Sequence, residues 1–198
     1  MTTPDDTNAP SLTSWLRATW AGWVLGVPCT ILLALAGEAL GIGGMQVLVG
    51  AGMGAGVGFL QGRALRRFQL RAMPWFWSSV TGLALPFLAW DMAQALGMTW
   101  TYSLPACVAL GGLLAGCWQA VLLRRRLAGP TWWVLASALG WTLAGGMATG
   151  ADTLVRTYAI RGLAGAGAYL AMIATGGLIL GLVTGLVLAN RWRPQHAN

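Results

Sequence analysis

Polar and ionisable side chains are scarce along this 198-residue chain, so those inside apolar runs mark where chemistry could occur. Gln61, Gln119 and Thr184 occupy equivalent positions, each about a turn before a cluster that contains arginine. A second set is acidic: Glu38, Asp91 and Asp152 fall late in three other apolar runs. A carboxylate in hydrocarbon must pair, face water or take up a proton, because desolvation penalises its charge. Asp91 lies in the apolar stretch 83–93, five residues after Pro86 and beside Trp90. It is the deepest of the three and the best candidate for binding a proton or a cation. Glu38 and Asp152 lie nearer the ends of their runs, where hydration or pairing with Arg156 and Arg161 accounts for them. For Gln61, Gln119 and Thr184 the sharper reading is a polar layer that contacts a substrate or ion. The plainer one is interhelical hydrogen bonding, worth about 0.6 kcal/mol each, and it is preferred.

Other chemistry lacks its residues. The one His, His196, is in a polar tail, and the three Cys, at 29, 107 and 117, sit inside apolar runs without CxxC spacing. There is no GxSxG, HExxH or P-loop, and no two acids stand three or four residues apart. No catalytic group, metal site or cofactor is therefore expected, and the chain reads as something other than an enzyme.

The elements that carry these residues follow from composition. Hydrophobic residues make up 57% of the chain and charged residues 9%, which points to a bilayer as the solvent. Six apolar runs, about 15–40, 45–65, 75–96, 102–123, 131–151 and 165–189, can each cross a hydrocarbon layer of ~30 Å as a helix. Residues 1–14 read as a mobile tail, 15–192 as one transmembrane domain, and 193–198 as a second short tail. Arg17 and the triplet Ala34-Leu35-Ala36 imitate a signal peptide, but the run is long for one and Asp5 and Asp6 precede it, so it reads as a retained span. Pro28 and Pro86 fall within helices one and three, and Pro74 and Pro130 just before helices three and five.

The chain also repeats itself. Gly54, Gly58 and Gly62 align with Gly112, Gly116 and Ala120, and with Gly177, Gly181 and Gly185. Residues four apart share a helix face, so each even-numbered helix carries a stripe of small residues that permits close backbone approach. The odd helices echo one another more weakly, through Trp75 and Trp77, Trp132 and Trp133, and the later Gly82 and Gly140. The expected fold is an all-α integral membrane protein: six transmembrane helices in three tandem hairpins, a parallel pseudo-threefold repeat.

The net charge of +7 comes from arginine alone. Arg17, Arg63, Arg66, Arg67, Arg71, Arg124, Arg125, Arg126, Arg191 and Arg193 fall on one side of the spans, and only Arg156 and Arg161 on the other. The positive-inside rule then puts both termini of a multi-pass cell (inner) membrane protein in the cytoplasm. That placement explains the basicity without nucleic acid. Arg66, Arg67, Arg124, Arg125 and Arg126 are placed to attract anionic lipid headgroups, at about 1 kcal/mol each. Trp75, Trp77, Trp132 and Trp133 lie at the depth of an aromatic belt, whereas Trp90, Trp118 and Trp141 do not. Two functions fit this pattern. One is association, as a scaffold or accessory subunit bound to another membrane protein or a second copy. The other is transport or substrate binding in a polar cavity between the repeats.

Overall fold

The computed structural model describes residues 10–99, 103–158 and 162–193. Within them the chain is helical and free of strands: α1 (Leu12–Ala39), α2 (Val47–Leu65), α3 (Ala72–Ala95), α4 (Ser103–Leu123), α5 (Thr131–Thr157) and α6 (Gly162–Arg191). The tail expected over 1–14 is shorter, because Ser11 caps α1, accepting from the Ser14 amide at 3.3 Å. Residues 1–9 and 194–198, like Arg161 and the expected helix start at 102, lie outside the described residues. Arg193 of the expected second tail is held to the preceding loop, its amide donating to the Arg126 carbonyl at 2.8 Å. Gly97, at φ +81°, ends α3 by turning the Met98 amide back onto the Ala93 carbonyl at 3.0 Å.

Pro28 and Pro86 lie inside α1 and α3, as expected. Pro74 sits in the first turn of α3 instead of ahead of it, a position where its missing N–H has no helical partner to lose. Four helices are long and apolar enough to cross a membrane: α1, most of α4, α5 and α6. α2 and α3 fall short because α2 replaces large apolar side chains with glycine and α3 interleaves Ser78, Ser79 and Thr81.

Each helix packs along the next, and α6 returns to α1, which closes a ring. The outward faces stay apolar, with Leu32, Val121 and Leu135 all more than half exposed. The small-residue positions explain how the backbones come so close. Gly58 faces Ser79, Gly116 faces Ser137, and Gly181 faces Leu16 and Thr19. One turn away, Gly54 meets the Ser79 and Val80 backbone, Gly112 the Trp141 side chain, and Gly177 that of Trp23. On the other side Gly62 meets Ala72, Gly185 meets Trp15 and Leu12, and Ala120 is buried in the core. A Cβ at most of these glycines would overlap the neighbouring helix.

Candidate functional site

At the arginine-rich end, three indoles fill the centre of the ring. Trp15, Trp75 and Trp133 are each 1% exposed, and their ring centroids lie 5.5–6.1 Å apart in edge-to-face pairs. This corrects the belt reading for Trp75 and Trp133. The true belt-like neighbours are Trp77 and Trp132, which are half exposed. Trp77 is turned about 200° from Trp75 and Trp132 about 100° from Trp133, so depth alone never decided which indole turns inward.

A buried indole N–H needs an acceptor, and each of the three finds one at a polar position aligned above. Trp75 Nε1 donates to Gln61 Oε1 at 3.2 Å, Trp133 Nε1 to Gln119 Oε1 at 3.1 Å, and Trp15 Nε1 to Thr184 Oγ1 at 2.9 Å. The Gln amides spend their donors as well. Gln61 Nε2 donates to Thr19 Oγ1 at 3.0 Å and Gln119 Nε2 to Ser79 Oγ at 2.9 Å. Thr184 has no amide, so Ser137, the residue four beyond Trp133, donates to the Gly112 carbonyl instead. Leu65, Leu123 and Leu188, each four residues beyond the acceptor, close the layer beneath at 0–1% exposure. Gln61, Gln119 and Thr184 are thus brought together, with their hydrogen bonds made inside the protein.

The indole triad was missed by sequence reasoning, although a signal existed. Trp15, Trp75 and Trp133 are each followed by Thr or Ser four residues later and by Gly seven residues later, at Gly22, Gly82 and Gly140. Gly22 and Gly82 make close backbone approaches to Val57 and Ala115 on the next helix, and Gly140 meets Leu180.

About two turns along, ~12 Å from the first layer, the filling changes character. Trp23, Leu83 and Trp141 stand in the corresponding places, and Trp23 Nε1 donates to the Ile173 carbonyl at 2.8 Å. Beyond them the ring holds a chamber of about 280 Å³. All six helices line it, through Trp23, Met53, Phe87, Val108, Trp141 and Ile173 among others, and no charged side chain does. Its margin includes the exposed Ile31, Leu104 and Tyr169.

The acids do not join either layer. Asp91 sits in the last turns of α3 and grips the start of α2: the Gln46 amide donates to one carboxylate oxygen at 2.9 Å and the Val47 amide to the other at 2.8 Å. An anion there also faces the positive end of the helix dipole. Asp91, expected as a deep proton or cation site, is placed as a cap on the start of α2, where loop 40–46 lies against the end of α3. Glu38 is exposed, and Asp152 forms an exposed ion pair with Arg156 at 2.9 Å. Among the described residues no three His, Cys, Asp or Glu gather in a metal-binding group.

Of the arginines, Arg66, Arg67, Arg124 and Arg125 are exposed. Arg126 is half-buried, its guanidinium 6.0 Å from the centroid of Trp192, which also packs edge-on against Phe68. Leu127 and Trp192 form an isolated bridge that ties the α4–α5 loop to the end of α6. That end of the ring is therefore plugged by Leu127 and the leucine layer, with Phe68 and Trp192 packed against them. Of the other tryptophans singled out, Trp118 faces outward and Trp141 is buried. No family model, no curated protein and no solved structure matches this chain.

Proposed function

We propose that this is a six-span cell-membrane protein, built from three tandem hairpins about a pseudo-threefold axis, that binds the hydrocarbon part of a membrane-soluble molecule in its chamber. Six helices in a closed ring, with a Trp–acceptor pair at each of three equivalent helix junctions, support the repeat. The distribution of arginine supports a cytoplasmic plug, and so a chamber facing the outer leaflet.

The observation that carries the binding reading is the chamber itself, lined by every helix and free of charge. A cavity of about 150 Å³ accepts a six-carbon ring, so this one has room for about a dozen carbons. Passage of ions or polar solutes past Gln61, Gln119 and Thr184 would require those groups to be free, and each accepts from a buried indole. Action as a scaffold or accessory subunit would draw on the glycine stripes and the arginine blocks; the stripes here face helices of the same chain, which leaves the exposed arginines to carry such a contact.

Ala148 lines the chamber. Purification in mild detergent followed by native mass spectrometry should find one apolar molecule retained per chain. Ala148→Phe should abolish retention while leaving the melting temperature equal or higher, since the added ring fills space. An empty parent protein, or full retention by a folded Ala148→Phe, would sink the reading.

A further inference from the structure

We propose that an anionic phospholipid seats in a second pocket, on the outward side of α2 and α3 near the arginine-rich end. This pocket has a volume of about 250 Å³ and is lined by Phe59, Arg63, Arg66, Ala72, Met73 and Phe76. Phe59, Arg63 and Arg66 follow one another at four and three residues, so they share one face of α2, running on into the short turn that follows it. Met73 and Phe76 are three apart at the start of α3 and form the facing wall. The pocket is therefore graded along the helix axis. Its charged part lies at the helix end beside Met73, and its deeper part, a turn further in, is walled by Phe59 and Phe76, with Phe59 52% exposed.

That gradient matches a phospholipid standing in the bilayer, headgroup at the interface and acyl chain against aromatic walls. Neither the Arg63 nor the Arg66 side chain forms a hydrogen bond or ion pair among the described residues. The acids there, Glu38, Asp91 and Asp152, all lie at the opposite end of the bundle. Among the described residues the two guanidiniums are thus left without a carboxylate partner, and each carries the planar fork that contacts a phosphodiester bidentately. A diffuse field would attract lipid anywhere along the arginine blocks, whereas a walled pocket holds one molecule. Arg124 and Arg125, also exposed, provide the comparison.

The test is a titration of the full chain in an uncharged detergent, read by native mass spectrometry, with phosphatidylglycerol, phosphatidylcholine and inorganic phosphate as separate probes. One phosphatidylglycerol should bind per chain, in preference to phosphatidylcholine. Arg63→Gln with Arg66→Gln should weaken it about thirtyfold, the attraction of two surface cations. Arg63→Lys with Arg66→Lys should recover part of the loss, and Arg124→Gln with Arg125→Gln should change affinity by less than about threefold. Lipid-free melting temperatures confirm folding, and Arg66→Gln alone carries the test if the double variant does not fold. Equal losses in the two Gln pairs would reduce the site to diffuse charge and overturn the proposal. Competition by inorganic phosphate as strong as by the lipid, or equal binding of phosphatidylcholine, would overturn it too.

Discussion

The two halves of this bundle use the same helices for opposite ends. In the arginine-rich half the ring is filled by three large indoles, three polar acceptors and three leucines, and each of those three indole N–H groups reaches an acceptor. In the far half the same axial space holds a chamber, where the buried Thr30 hydroxyl has no partner among the described residues and Asp91 serves a helix end. Large aromatic side chains need small residues opposite them, and the glycines of α2, α4 and α6 supply that fit. Gly185 meets Trp15, Gly177 meets Trp23 and Gly112 meets Trp141, while Gly54, Gly58 and Gly116 take the serine-bearing turns of the next helix.

The sharpest way to break that contrast is to add the same side chain to a glycine in each half. Gly54→Leu should be severe, because even a Cβ would meet the Ser79 carbonyl oxygen at 2.6 Å. A loss of ~3 kcal/mol or failure to fold is expected, the upper range of overpacking. Gly146→Leu, where nothing lies within 4 Å, should leave the detergent melting curve near that of the parent. Gly146 lies on the exposed outer face of α5, so comparable melting of the two variants would show that the close contact at Gly54 does not hold the helices together.

Next in size is the indole layer. Trp75→Phe keeps most of the ring volume but strands the buried Gln61 Oε1, which should cost about 1–3 kcal/mol in thermal or denaturant unfolding. Trp77→Phe, on the exposed side, should cost little. If the two match, the hydrogen-bonded layer is not what holds this half together.

In the far half the largest single polar effect should come from Asp91. Asp91→Asn keeps one acceptor but loses the charge and the second one, so α2 should weaken at its start by about 1 kcal/mol. Hydrogen exchange at residues 46–50 should rise while ion uptake in proteoliposomes stays at the parent level. Loss of a parental ion uptake in a folded Asp91→Asn would restore the carboxylate as a transport group. Smallest of all, Arg156→Gln removes an exposed i,i+4 pair and should leave the melting curve close to that of the parent. A larger shift would mean that this end of α5 is packed more firmly than its exposure indicates.

Much of this was legible in the residues alone. The helices fall within a few residues of the apolar runs, the main extension being α5, which continues to Thr157. The glycine stripes lie at contacts because four-residue spacing puts them on one face whatever the neighbour. Gln61, Gln119 and Thr184 converge as their alignment implied. The roles of Trp75 and Asp91 were misread for one reason: both depend on where a side chain points across a gap, and composition records only depth.

Local order is written in neighbouring residues, through a 3.6-residue period, apolar length and the capping Ser11, and the chain by itself determined those. What only the tertiary structure decided is which distant groups share a space. Asp91 meets amides 44 and 45 residues away, and Trp15 meets Thr184 across 169. Such pairings follow from how the helices cross and how the ring closes. Those in turn depend on the summed fit of indoles into glycine-lined backbone, which no short stretch of sequence contains.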